Sequence, residues 1–114
     1  MDGTQLNQSR RGYTFESDLT SLLPDIPADT IVSRTFYDEN GSKGIVFGFA
    51  EGQELSEHTA SRPAILQFIS GKAQLTLGED SFDAGPGSWV HMDAKLPHSV
   101  VAETPVVMLL LMLP

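Results

Sequence analysis

Cysteine is absent from the 114 residues. Disulfides, thiolate metal sites and a cysteine nucleophile are therefore excluded, and a reducing, cytoplasmic location is expected. Basic residues are scarce: 7 Lys and Arg stand against 15 Asp and Glu, for a formal net charge of −8 and a pI near 4.6. A surface of that sign repels phosphate backbones and anionic lipid, so neither nucleic acid nor a membrane is expected as a partner. Long apolar runs are missing as well. The longest, residues 106–113, is eight residues, where a membrane span needs about 20. Residues 1–11 are polar and show no apolar segment of the signal-peptide kind. No amphipathic helix of about 12 residues is visible, nor a repeat, a phosphate-cradling loop before a helix, or the turn that presents a nucleophilic serine.

What remains is enough for a core: 40% of the residues are hydrophobic, which suits one compact domain and excludes a wholly disordered chain. Residues 1–29 read as an N-terminal arm or edge segment, with Ser17 or Asp18 placed to cap one short turn that Pro24 ends. From Thr30 to Pro114 the pattern changes to short runs rich in β-branched and aromatic residues, separated by Gly, Pro, Asn and Asp. They are IVSRTFY, GIVFGFA, AILQFIS, KAQLTL, SWVHM, HSVVA and VVMLLLML. Asn40–Gly41 marks a hairpin, because both residues tolerate positive φ. In Lys72–Leu77 the alternation puts Ala73, Leu75 and Leu77 on one face. About seven strands in under 90 residues predict an all-β sandwich or small barrel, with helix below about a fifth of the chain. The last run is apolar on both faces and needs cover from outside the barrel, by the N-terminal segment or a second subunit; with Ile65 and Ile69 outward, a homodimer is expected.

The chain has three histidines, His58, His91 and His98. His58 sits in the polar run GQELSEHTASRP, and His98 follows Pro97 at the head of an apolar strand. Such strand-margin positions can meet across a sandwich, where neutral imidazole serves as ligand, base or hydrogen-bonding anchor. The spacing is informative. Gly52, five residues, His58, one residue, Ala60, three residues, Ala64, six residues, Gly71 forms one set. Gly87, five residues, Asp93, one residue, Lys95, two residues, His98 forms another. Both resemble the paired motifs of the cupins, and residues 30–114 resemble a small cupin domain throughout. The resemblance implies a double-stranded β-helix jelly roll, with a site in the barrel mouth.

Departures from the family pattern bear on function. A metal-binding cupin presents His-x-His, then Glu or Gln, then the second-motif His; here Ala60 and Ala64 replace two of the four. A methyl group has no lone pair, and zinc sites ordinarily use three or more protein ligands. The resemblance thus implies no cofactor, or a weakly bound divalent ion (Zn, Ni, Fe or Mn) on His58 and His98. His91 is a further candidate, but the turn 93–97 breaks any strand parity between it and His98. Gln67 shares a face with Ile65 and Ile69, opposite Ala64, and reads as outward. Arg62, in the loop after His58, has the planar fork that clamps carboxylates. Phe68 and Trp89 read as core residues or as pocket lining. The expected ligand site is thus His58, His98, Arg62, Phe68 and Trp89, holding a small organic molecule. The alternatives are a metal-dependent dioxygenase or isomerase with an irregular ligand set, and an interaction module that dimerises through apolar strands.

Overall fold

The computed structural model describes residues 12–114, so most of the loose arm expected over residues 1–12 lies outside the described residues. Of the structure, 53% is strand and 4% helix, and the sheets are antiparallel, as the strand-rich pattern predicts. Among the described residues the single 3-10 turn is Leu19–Leu22, capped by the Asp18 carboxylate, which accepts the Thr20 amide at 3.1 Å. Among the described residues no helix is long and apolar enough to cross a membrane.

Among the described residues nine strands follow: β1 (Ile31–Glu39), β2 (Ser42–Phe49), β3 (Glu54–His58), β4 (Ala64–Ser70), β5 (Ala73–Leu77), β6 (Asp80–Ala84), β7 (Trp89–Met92), β8 (His98–Ala102) and β9 (Val106–Met112). Asn40 and Gly41, at φ 54° and 81°, turn β1 into β2 as a hairpin. The strands form two sheets, ordered β1-β2-β9-β4-β7 and β3-β8-β5-β6. This is the double-sheet jelly roll. Seven strands were expected; the two additional ones, β3 and β6, are polar edges of the four-stranded sheet whose backbones pair while their side chains stay largely exposed. A polar edge strand carries little alternation to read.

Register fixes the faces. Ala64, Leu66 and Phe68 of β4 stand opposite Met112, Leu110 and Met108 of β9, and all point inward. Ala73 and Leu75 of β5 stand opposite Ala102 and Val100 of β8 on the facing sheet. Phe49, Phe68, Met108, Val100 and Val106 are fully buried between the sheets. These side chains form the core beneath the barrel mouth. Part of the outer cover comes from the segment before β1: a Cβ at Gly48 of β2 would lie 2.6 Å from the Ile26 side chain and 3.0 Å from that of Leu23. Glycine there lets the tips of both side chains seat directly on the strand, and a Cβ would push them aside.

Candidate functional site

Strand β3 ends on His58, and β8 begins on His98. The two pair directly in register, with ring centroids 4.2 Å apart and planes inclined at 56°. Simple parity forbids this. Leu55 pairs with Val100 on the inner face, and His58 lies three residues on, where His98 lies two residues back. A β-bulge between Leu55 and His58 absorbs the extra residue and turns His58 to the face of His98. His98 is only 7% exposed, whereas His58 is open to solvent at the rim.

The tautomers follow from the partners. Nδ1 of His58 lies 2.8 Å from the Ser56 carbonyl oxygen, and Nδ1 of His98 lies 2.8 Å from that of Leu96. A carbonyl oxygen only accepts, so each Nδ1 carries the proton and donates it. Each neutral ring then keeps an Nε2 lone pair without a proton. The pair is oriented in the way that outer contacts orient ligating or basic imidazoles.

Burial holds the pKa of His98 below its ordinary 6.5; the bond to Leu96 opposes this, and the charge of a protonated His58 reinforces it. Unfolded chain takes up a proton near pH 6.5 that native His98 resists. Folding stability should therefore be full above that pH and decline as pH falls below it, levelling off once native His98 also protonates. Urea unfolding at a series of pH values, on the parent and on His98→Gln, measures the contribution. The parent should lose more stability than the variant between pH 7.5 and 5, and equal slopes would contradict the assignment.

The inner faces of the two sheets near this end carry apolar side chains beside one lysine. Ile45 of β2 and Leu110 and Met112 of β9 are half-buried on the inner face, Leu77 pairs with His98, and Leu96 packs against the core. Lys43, opposite Met112, is the basic residue on the inner face of β2. The loop 59–63 carries Arg62 and is joined to the loop after β7 by the Lys95 amide, which donates to the Ala60 carbonyl at 2.7 Å. Arg62 is half-buried, and its Nε is closed off from solvent without a hydrogen-bond acceptor.

Three of the expected site residues stand elsewhere. Phe68 is 1% exposed and belongs to the core cluster beneath the rim, so it is packing and not ligand surface. Trp89 is neither core nor pocket: it pairs with outward Gln67 and is 59% exposed on the outside of β7. His91 shares that outer face, paired with Ile65, while Met92 points inward; it lies 3.9 Å from the exposed Asp93 carboxylate. Both side chains follow the strand alternation, which sends residues 89 and 91 away from the barrel.

A divalent ion does not fit this rim. Ala64 is 3% exposed on the inner face and offers a methyl group where a carboxylate is needed. Among the described residues no three His, Asp, Glu or Cys side chains gather where an ion can be held. A separate concavity of about 320 Å³, lined by Lys72, Asp83, Ala84, Gly85 and Glu103, opens at the other end of β5 and β8 from His98. Its charged side chains are exposed to water, so it adds nothing to the histidine site.

No protein-family model matches the sequence. No curated protein matches it either. Solved structures do. A cupin superfamily protein from Desulfitobacterium hafniense superposes with a TM-score of 0.78 at 21% identity, covering 83% of this chain and 86% of its own. A conserved protein of unknown function from Streptococcus pyogenes gives 0.77 at 28% identity, with 87% and 86% covered. An RmlC-like cupin from Desulfovibrio desulfuricans gives 0.76 at 20% identity, with 88% and 97% covered. With both glycine-bounded histidine motifs brought to one rim of a two-sheet jelly roll, the chain has the fold of a small cupin domain.

Proposed function

We propose that this chain binds a small organic molecule at the barrel rim, anchored on His58 and His98. The observation that carries the reading is the histidine pair itself. Two imidazoles 4.2 Å apart have both Nδ1 protons committed to main-chain carbonyls, which leaves two Nε2 acceptors beside a half-buried apolar wall. Two adjacent acceptors select a ligand that donates hydrogen bonds, such as a hydroxyl, amide or ammonium group, carried on an apolar body. The buried core beneath the histidines places that body at the rim. A metal-dependent dioxygenase or isomerase lacks support, because only two of the four ligands that the family pattern requires are present.

Ring signals of the three histidines, followed by NMR, test this. Catechol and benzamide are the donor-bearing probes, and benzene is the control without a donor. Catechol or benzamide should shift the His58 and His98 signals and leave those of His91 in place. His98→Phe, which keeps the ring and removes the acceptor, should weaken the effect about tenfold or more, a loss of about 1.4 kcal/mol. If neither donor probe moves either ring signal up to about 10 mM, the site does not bind ligands of this class. If benzene acts as strongly as catechol, the acceptor argument is wrong.

A further inference from the structure

Two cations of this acidic chain stand on the inner side of the five-stranded sheet without an anion. Lys43 of β2 and Ala64 of β4 flank Met112 of β9 in register, so the three form one inward row. The row lies at the histidine end of the barrel, because loop 59–63 runs directly from His58 to Ala64. Arg62 precedes Ala64 by two residues. The ladder continues past β4, where the Leu113 amide donates to the Pro63 carbonyl at 2.9 Å, and strand parity carries Arg62 to the face of Ala64. That bond and the one from Lys95 to Ala60 hold the loop at both ends. Lys43 and Ala64 are two strand spacings apart, about 10 Å, which lysine and arginine side chains can close on one small group. Both side chains are half-buried, and neither makes a hydrogen bond or ion pair with a described residue. Among the described residues, Arg62 Nε is the one closed-off side-chain nitrogen or oxygen without a hydrogen-bond partner. An unpaired polar group drawn out of water costs stability, and a charged one costs more. Carboxylates are not lacking, with 15 in the chain. Asp38 opposite Lys43, and Glu57, Glu79, Asp80 and Asp93 around the same end, are all exposed and pair with neither cation.

We infer that the rim takes a small hydroxy acid, with its carboxylate between Arg62 and Lys43 and its hydroxyl on the histidine pair. The inference rests on the ligand-binding reading above and adds the charge of the ligand to it. A guanidinium presents a planar fork that matches both oxygens of a carboxylate, and the lysine adds a point charge. Such charge-assisted bonds are the stronger kind, and they offset the cost of holding Arg62 out of water unpaired. The hydroxyl donates to an Nε2 lone pair on the facing sheet. The ligand is thus gripped at two ends by groups of opposite demand, an anion at one sheet and a donor at the other.

Para-hydroxybenzoate and para-hydroxybenzamide test this, because they share ring and hydroxyl and differ in charge. In NMR titrations of the His58 and His98 ring signals, the parent should bind the acid about tenfold or more tighter than the amide. Raising the salt roughly tenfold should weaken the acid and spare the amide. Arg62→Gln and Lys43→Gln should each cut the advantage of the acid to about twofold or less, with binding of the amide unchanged. His98→Phe should weaken both probes alike. Stability gives a second readout. Arg62→Met keeps the apolar stem and removes a charge that has no partner, so it should unfold at the same urea concentration as the parent or at a higher one. A clearly lower midpoint would show that the guanidinium serves the fold, and would overturn the inference. Equal affinity of the parent for acid and amide would also overturn it, while leaving the ligand-binding reading in place. If neither probe moves the histidine signals, both fall.

Discussion

Gly71→Ala should cost more than about 3 kcal/mol of folding stability, and Gly52→Ala only about 1 kcal/mol. Both glycines belong to the first histidine motif, and both have positive φ, 85° and 83°. Any L-residue there meets the left-handed penalty of about 1–2 kcal/mol. Surroundings make the difference. A Cβ at Gly52 meets nothing within 4 Å. At Gly71, in the turn from β4 to β5, it would collide with the Pro105 carbonyl oxygen and lie 2.9 Å from Cα of Val106. That neighbour is main chain at the start of β9, which pairs with both β2 and β4. It cannot rotate aside as a side chain can, so the turn or the central strand must move. In a domain whose total stability is on the order of 5–15 kcal/mol, this is a large fraction. Urea unfolding of the two variants with the parent gives the comparison. Equal losses for Gly71→Ala and Gly52→Ala would show that backbone conformation alone governs both positions.

Restoring the absent ligands should produce a metal site. The double variant Ala60→His, Ala64→Glu is expected to bind zinc or nickel about a hundredfold or more tighter than the parent, or about 2.7 kcal/mol. The parent offers two imidazoles, which leaves the charge of a divalent ion uncompensated. Ala64 lies on the inner face at 3% exposure, between Met112 and Met92 in register, so a carboxylate there is taken out of water beside thioethers. Without metal, that desolvation should lower the melting temperature of the variant. Zinc at 100 times its dissociation constant should return about 2.7 kcal/mol by mass action. Calorimetric titration and thermal melts, with and without zinc, measure both halves. If the parent already retains one equivalent of metal through dialysis and His58→Ala removes it, the deficiency argument fails. A metal-dependent reaction at the rim would then displace ligand binding as the leading reading.

Different kinds of information reached the sequence unequally. Strand identity was legible wherever one face is buried, as in β4, where Ala64, Leu66 and Phe68 point inward and Gln67 outward. The Asn40–Gly41 hairpin and a short capped turn were legible because a few residue types satisfy their local geometry, though only the structure chose Asp18 over Ser17 as the cap. Strands β3 and β6 were not: at the edges of a sheet, backbone pairing holds them while their side chains remain in water. Trp89 reads from the sequence as a core or pocket-lining residue. Its exposure follows from strand parity, which sends it outward with Gln67.

The strand pattern by itself reached only a β sandwich or small barrel; the glycine and histidine spacings carried the resemblance to the cupins, and that resemblance implied the jelly roll and singled out His58 and His98. Set against the family pattern, the alanines at 60 and 64 implied two missing ligands, because a side chain without a lone pair lacks one in any fold. Tertiary structure alone decided that His58 meets His98. Periodicity carries side-chain direction only along an unbroken strand, and the bulge after Leu55 resets it. Tertiary structure also decided which apolar residues are packed and which are bare, since Phe68 and Trp89 differ in what lies across from them and not in their own chemistry.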